Sequence, residues 1–430
     1  MTTATADKGL RSRGYILAIL TLVYAFNHID RQVLLILLEP IKTELQLRDT
    51  QLGLLTGIGF AAVYATLGVP VALWADRGRR RDIIALSLSV WSLMTALSGF
   101  AQTFTHLLLA RIGVGIGEAG GTPPATSMIS DLYEPSRRAT ALGVYTLGIG
   151  LGVLAGFPLG GLVYESFGWR AAFFVAGVPG LLLAVVVWLT VPEPTRGASE
   201  PGGVRSQAEP MPVAATFAFI LSQSSFLWLL AGCMLICVSA NAFLAWTAPF
   251  LIRTHGLEVG AVGLALGLLV GGLGGAGAVL IGMACDRLSS KDLRWRPWTI
   301  LVCGIASLPF AWMFLNAATP QAAFLANVVP SFVGLIYASI AYTASQELVG
   351  VRMRSVASAF TLFCLTLLGI GGGPTLVGFL SDYFAATDPQ TSLRRALETM
   401  LILNALSLIC LFMASLGYRR DVERARRLDS

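Results

Sequence analysis

The chain has 430 residues, of which 55% are hydrophobic and 13% are charged, and its mean hydropathy is +0.72. Because soluble domains carry about 25% charged residues, this composition excludes an ordinary soluble domain. Apolar runs of about 20 residues recur along the chain, and each is long enough to cross a hydrocarbon core of about 30 Å. The runs lack the alternating polarity of β-barrel strands, so the sequence predicts an all-α membrane protein.

The apolar runs predict twelve transmembrane helices. Residues 192–225, the longest connection, are rich in proline, glycine, serine and glutamate, as flexible linkers are. We therefore expect an N-terminal six-helix bundle (1–191), a cytoplasmic linker (192–225), a C-terminal six-helix bundle (226–418) and a cytoplasmic tail (419–430). The predicted spans are 14–38, 51–75, 82–102, 106–130, 139–164, 170–191, 226–251, 259–284, 298–316, 321–347, 355–384 and 396–417.

The distribution of lysine and arginine predicts the orientation of these spans. With this assignment, 22 of the 30 basic residues fall on the side that holds both termini, and six fall on the other side. Both termini are therefore predicted to be cytoplasmic. The net charge of +6 reflects this asymmetry, so no nucleic-acid partner is expected. Arginine outnumbers lysine 27 to 3, which favours a GC-rich bacterial genome and hence an inner membrane.

The two halves of the chain resemble each other at matching places. Asp76-Arg77 follows the second span and Asp286-Arg287 follows the eighth, 210 residues later. Pro158 in the fifth span and Pro374 in the eleventh are 216 residues apart. A duplication of six spans is typical of secondary transporters, whose site lies near the bilayer midplane between the repeats.

Four motifs resemble those of the major facilitator superfamily. They are DRGRR after the second span, LLARIGVGIGEA in the fourth, GVLAGFPLGG in the fifth and GWRAAFF at the start of the sixth. NHIDRQVL in the first span, together with RIGVGIGEAG, resembles the Spinster group. The resemblance implies two pseudo-symmetric six-helix bundles that work as a monomer. It also implies export of lysolipids or molecules similar to sphingosine 1-phosphate.

Charged residues inside the predicted spans are the main functional signal. A charge at the centre of a spanning helix is unfavourable by about 2.5–3.5 kcal/mol, and such residues usually mark ion or substrate pathways. Arg111 and Glu118 are seven residues apart and share a helical face, about 10 Å apart along the axis. Asn27 and Asp30 share a face of the first span. The resemblance places the first and fourth spans at the central cavity, where Asp30, Arg111 and Glu118 are expected to converge.

The substrate-binding and proton-coupling candidates are Asn27, His28, Asp30, Arg31, Arg111 and Glu118. Arginine presents a fixed fork of donors that suits a phosphate or carboxylate headgroup. Burial favours the neutral form of a carboxyl group, whereas a neighbouring arginine favours the charged form, so Asp30 and Glu118 suit proton exchange. Two alternatives stay open: a structural ion pair between the spans, and a helix-packing role for His28.

The C-terminal half carries no charge in the middle of spans seven, eight and eleven. A charged half opposite an apolar half suits an amphiphile, so the sequence predicts a proton-coupled carrier of an anionic, lipid-like substrate. Glycines 263, 267, 271 and 275 of span eight, and 148, 152 and 156 of span five, predict close helix packing.

The resemblance further implies a cytoplasmic gate in which the two aspartates after spans two and eight act as latches. Solvated loop charges are the alternative interpretation. The gate candidates are Asp76, Arg77, Arg80, Arg138, Asp286, Arg287 and Arg354.

Other classes of function have little support in the sequence. The chain contains no G-x-x-x-x-G-K-[ST] motif, and its three histidines are scattered, so we expect neither an enzyme nor a cofactor or metal site. The expected partners are membrane lipids, a small amphiphilic substrate and protons. Three alternatives remain: a proton-coupled carrier of small organic anions, a multidrug exporter, and a receptor or scaffold that does not transport.

Overall fold

The computed structural model describes residues 2–197, 199 and 211–428; the side chains of residues 2–12, 69, 72 and 76 lie outside this description. Parts of the predicted linker and tail therefore fall outside the described residues. Within them, every regular element is a helix.

Eight helices precede the linker. They are α1 (Thr2–Ile36), α2 (Leu38–Leu45), α3 (Asp49–Thr56), α4 (Ile58–Arg77), α5 (Arg80–Ser98), α6 (Phe104–Glu118), α7 (Thr122–Leu132) and α8 (Pro135–Thr190).

Eleven further α-helices are described after residue 211, and the first of them lies within the predicted linker. They are α9 (Val213–Ser222), α10 (Ser224–His255), α11 (Val259–Leu266), α12 (Gly274–Ser289), α13 (Trp295–Leu315), α14 (Pro320–Ala326), α15 (Val328–Val333), α16 (Ile336–Glu347), α17 (Arg354–Cys364), α18 (Gly371–Ala385) and α19 (Ser392–Arg426). Two π-helical segments, Gly267–Leu273 and Leu365–Ile370, join α11 to α12 and α17 to α18.

The helices match the predicted spans in order. Among the described residues, eight stretches are long and apolar enough to cross a membrane, judged by length and composition. One of them, α8, has 56 residues and holds two predicted spans, because Gly168 interrupts it with φ 83° and ψ 167°. A residue with a side chain rarely adopts such a positive φ, so glycine allows the reversal between the two spans.

The predicted fourth span is interrupted before Pro123-Pro124. Helix α6 ends at Glu118 and α7 starts at Thr122. The prolines occupy the first turn of α7, where a missing N–H costs no hydrogen bond. The break therefore follows directly after Glu118, which places this carboxylate at a helix end.

The described chain forms two compact units. Unit 1 comprises Met1–Leu47, Ala62–Gln207 and Glu258–Gly271, and unit 2 comprises Arg48–Ala61, Ala208–Leu257 and Gly272–Ser430. The start of the second span thus belongs to unit 2, and the start of the eighth span belongs to unit 1.

Glycines set the helix packing inside unit 1. A Cβ atom at Gly152 of α8 would lie 2.5 Å from the Ala25 carbonyl oxygen of α1, and Gly148 and Gly156 make similar close approaches to α1. In the eighth span, added Cβ atoms at Gly263 and Gly271 would lie 2.5 Å from the Phe157 oxygen and 2.4 Å from the Leu154 nitrogen of α8.

Gly267 makes the same kind of approach to α8, whereas Gly275 has open space around it. The packing predicted from the glycine spacing is therefore confirmed for all three positions in span five and for three of the four in span eight.

Candidate functional site

The central feature of unit 1 is an ion pair between α1 and α6. Arg31 Nε donates to Glu118 Oε2 at 2.8 Å, and Arg31 Nη2 donates to the same oxygen. The Glu118 side chain is fully buried, whereas the Arg31 side chain is 21% exposed. Arg31 is therefore the partner that a solute or water can reach more easily.

Asp30 points to a different neighbour, since consecutive helix residues differ by about 100° in direction. Its Oδ2 accepts a hydrogen bond from Thr95 Oγ1 of α5 at 3.1 Å, and the residue is 1% exposed. Within the described part of the chain, Asp30 Oδ1 accepts no hydrogen bond. Such a carboxyl group can hold a proton without losing its contact to Thr95.

Arg111 completes the charged group. It is 5% exposed and lies within electrostatic range of Glu118, Arg31 and Asp30. The structure thus brings together the four charged residues predicted from the first and fourth spans. Two carboxyl groups and two guanidinium groups balance one another, which lowers the cost of burying each of them. Adding a proton or an anionic group would disturb that balance.

An aromatic wall adjoins the ion pair. The rings of Tyr24 and Tyr145 stack with centroids 4.5 Å apart, and the Arg31 guanidinium lies 5.6 Å from the Tyr64 ring centroid. Thr122, at the start of α7, interacts with the hydroxyl groups of all three tyrosines.

Sequence reasoning missed three residues next to the ion pair and Asp30: Tyr64, Thr95 and Thr122. Single hydroxyl-bearing residues are common in spanning helices, so the sequence holds no signal that separates these three from ordinary packing residues.

The remaining two candidates, Asn27 and His28, flank this group on α1. Asn27 is buried. His28 Nδ1 is 3.1 Å from the Tyr24 carbonyl oxygen, and its ring meets the Tyr24 ring edge-on at 4.9 Å. These contacts are those of a packed histidine within the helix.

One gate candidate of unit 1, Arg80, is a buried arginine with two acidic partners. Arg80 is 1% exposed; it donates to Glu193 Oε1 at 2.9 Å and to Ser127 Oγ at 3.0 Å, and it also pairs with Asp131. Sequence reasoning missed both of these acidic partners. Arg77 is exposed at the end of α4.

Arg138 donates to Ser199 Oγ at 3.2 Å. The side chain of Asp76 lies outside the described residues.

Arg296 pairs with one gate candidate of unit 2, Asp286. Its Nη1 donates to Asp286 Oδ1 at 2.7 Å and its Nε to Glu347 Oε1 at 3.2 Å, and Tyr418 donates to Glu347 Oε2 at 2.9 Å. Within its own unit, Asp286 therefore pairs with Arg296. Arg287 and Arg354 are exposed.

A buried ion pair at the opposite end of unit 2 was also missed. Asp49, at the start of α3, accepts from Arg253 Nη1 and Nη2 at 2.7 and 2.8 Å and from Ser381 Oγ at 2.6 Å. Asp382 accepts from the backbone N–H groups of Asp49 and Thr50 at 3.0 and 2.8 Å. A carboxylate at a helix N-terminus satisfies orphan N–H groups and the helix dipole.

Unit 1 repeats this capping device. There Glu165 Oε1 accepts from the N–H of Gly260, at the start of α11, at 2.7 Å. Among the described residues, no group of three or more histidine, cysteine, aspartate or glutamate side chains could hold a metal ion.

Comparisons with known proteins agree with this architecture. The family model of the Major Facilitator Superfamily matches residues 20–374. An MFS-type efflux pump of Mycolicibacterium smegmatis is 35% identical over 431 residues, covering 98% of this chain and 97% of the pump. Human protein spinster homolog 1 is 27% identical over 427 residues, covering 94% of this chain and 78% of the human protein.

A solved structure is also similar. A bacterial homolog of the human lysosomal transporter Spinster, in an inward-facing and unoccupied conformation, matches with a TM-score of 0.85 and 30% identity. The match covers 95% of this chain and 98% of that structure.

Proposed function

Because the chain belongs to the Major Facilitator Superfamily and to its Spinster group, we propose that it carries an anionic, lipid-like amphiphile by proton-coupled alternating access. The substrate class is a lysophospholipid or a molecule similar to sphingosine 1-phosphate. We place this multi-pass membrane transporter in the bacterial inner membrane as a monomer with both termini in the cytoplasm.

The buried charge group of unit 1 is the observation that carries the proposal. Glu118 Oε2 accepts from Arg31, and Asp30 Oδ2 accepts a hydrogen bond from Thr95. Arg111 lies near both carboxyl groups. Protonation of Asp30 would remove one negative charge near Arg111 and so strengthen the attraction of this group for a phosphate or carboxylate headgroup. Return of the charge on Asp30 would oppose that headgroup, which links proton movement to substrate release.

The apolar character of unit 2 supports a substrate with a hydrocarbon chain. The middle of α10 carries neutral polar groups only, with Asn241 Nδ2 donating to the Cys237 carbonyl oxygen at 2.9 Å. Tyr337 donates to Cys237 Sγ at 3.2 Å. These polar groups are largely engaged with each other, so few remain for a sugar with many hydroxyl groups.

A second candidate function is export of small organic anions or drugs. The 35% identity to an MFS-type efflux pump favours it. Arg111 would bind an organic anion by the same chemistry.

Flux of a labelled lysolipid into proteoliposomes, with and without a pH gradient, tests the proposal. We expect gradient-dependent flux in the wild-type protein and loss of that dependence in Glu118→Gln, because the two arginines would then be left with Asp30 alone and would hold it in its charged form. Lysolipid binding should be retained. The matched control is Glu398→Gln, which makes the same substitution in an exposed pair with Arg394. An unchanged gradient dependence in Glu118→Gln would refute the coupling mechanism, whereas a folded wild-type protein that moves organic anions but no lysolipid would establish the second function.

A further inference from the structure

The helix α9 is an apolar segment that is too short to cross a membrane. Its ten residues, VAATFAFILS, include no charge and extend about 15 Å, half the thickness of the hydrocarbon core. One face is docked: Ile220 is fully buried, and the Phe217 ring meets the Phe360 ring edge-on at 5.1 Å. The other face is open, with Val213 57% and Leu221 63% exposed.

The end of α19 supplies positive charge in the same compact unit. Five exposed arginines follow the last predicted span, and two acidic residues, Asp421 and Glu423, lie among them. The exposed arginines are Arg419, Arg420, Arg424, Arg426 and Arg427. Although Arg419 pairs with Glu423 and Arg420 with Asp421, the segment keeps an excess of positive charge.

Arg424 connects the two features. Its guanidinium group lies 5.5 Å from the centroid of the Phe219 ring of α9. A guanidinium held against an aromatic ring has a restricted orientation and still offers several N–H donors to a phosphate group. The apolar face of α9 and the arginines of α19 therefore form one continuous surface, which we call the basic platform.

We propose that the basic platform binds the phosphate headgroups of acidic phospholipids in the adjacent leaflet. A helix with an apolar face beside clustered arginines is the arrangement that lies in the membrane interface. Anionic lipids attract basic residues next to a spanning helix strongly enough to change binding about fivefold per residue. In this arrangement the exposed side of α9 faces the acyl chains while Arg424 binds a headgroup. The proposal is independent of which solute the protein transports.

The test uses the full-length protein in nanodiscs of phosphatidylcholine, with and without phosphatidylglycerol. Native mass spectrometry gives the affinity for phosphatidylglycerol, and tryptophan fluorescence gives the unfolding temperature. We expect phosphatidylglycerol to bind and stabilise the wild-type protein, and Arg424→Gln to bind it about fivefold more weakly. Phe219→Leu should change the affinity in the same direction, because it keeps an apolar side chain but removes the ring.

The matched control is Arg395→Gln, which removes an exposed arginine from the opposite end of the same helix and should retain wild-type affinity. Equal losses in Arg395→Gln and Arg424→Gln would overturn the proposal, since general charge would then explain the binding. Failure of phosphatidylglycerol to bind or stabilise the wild-type protein would also overturn it.

Discussion

Replacing Glu118 by glutamine removes one partner of the buried ion pair with Arg31 and leaves the arginine in place. Both donors of Arg31 converge on one carboxylate oxygen, with Nε at 2.8 Å. At an effective dielectric constant of about 20, two unit charges about 4 Å apart attract by about 4 kcal/mol. The 21% exposure of Arg31 and the desolvation of both groups reduce the net value. We therefore expect a coupling energy of about 2 kcal/mol between the two residues.

The single variants should differ in cost. In Arg31→Gln, Glu118 still has Arg111 within electrostatic range. In Glu118→Gln, two arginines remain with Asp30 alone to balance them. We therefore expect Glu118→Gln to lower the free energy of unfolding by about 3 kcal/mol and Arg31→Gln to lower it by less.

A double-mutant cycle measures the coupling, with unfolding followed by tryptophan fluorescence as sodium dodecyl sulfate is added to detergent micelles. The exposed pair Arg394–Glu398 on α19 serves as the reference: its residues are four apart in the sequence, and Arg394 Nε lies 3.1 Å from Glu398 Oε1. It should give about 0.3–0.5 kcal/mol. A coupling for Arg31–Glu118 no larger than that of the reference pair would show that the reasoning from burial and geometry is wrong.

Three further predictions concern individual residues. Asp30→Asn keeps an acceptor for Thr95, so it should fold and bind substrate but lose gradient-driven flux; persistent gradient dependence would exclude Asp30 as the proton site. Gly57→Ala should cost about 1–3 kcal/mol, because its Cβ would lie 2.4 Å from a carbonyl oxygen. The control Gly68→Ala should be neutral or stabilising, because the surroundings of Gly68 are open. Thermal unfolding of both variants measures the difference, and equal effects of Gly57→Ala and Gly68→Ala would contradict the packing argument. Contacts with Arg170 and Trp169 hold the pKa of Glu44 below its ordinary 4.5, so its stabilisation is complete above pH 4.5 and falls as the pH drops further. As the pH falls below 4.5, the free energy of unfolding should drop less in Glu44→Gln than in the wild-type protein. An identical drop in both proteins would contradict this role of Glu44.

The sequence predicted the spans and the buried charges because both depend on local composition. Apolar length defines a span, and a charge inside a span stands out against its neighbours. The pairing of those charges depends on how helices are rotated against each other. The helix geometry shows that Arg31 points about 100° away from Asp30. It does not show that the partner of Arg31 is Glu118, 87 residues away in the sequence. Asp49 and Arg253 escaped notice for a related reason: charges at span ends usually meet water.

The internal repeat includes an interrupted helix in each half of the sequence, in addition to the repeated motifs. Gly57, between α3 and α4, and Gly267, at the start of the first π-helical segment, interrupt the second and eighth spans 210 residues apart. That is the separation of Asp76 and Asp286. The first interruption is a break between two helices and the second is a π-helical segment. The two halves therefore share the position of the interruption but differ in its backbone geometry.

The contacts of these glycines explain why the position is shared. A Cβ at Gly267 would lie 2.8 Å from the Pro158 ring, and one at Gly53, a turn before Gly57, would lie 2.6 Å from the Pro374 carbonyl oxygen. Each interrupted span therefore lies against the matching proline-containing span of the other half of the sequence. The missing N–H of Pro158 leaves the Leu154 carbonyl oxygen without its helical partner, and a Cβ at Gly267 would lie 2.9 Å from that oxygen. The repeated feature is thus a glycine–proline helix contact in which the glycine comes from one half of the sequence and the proline from the other.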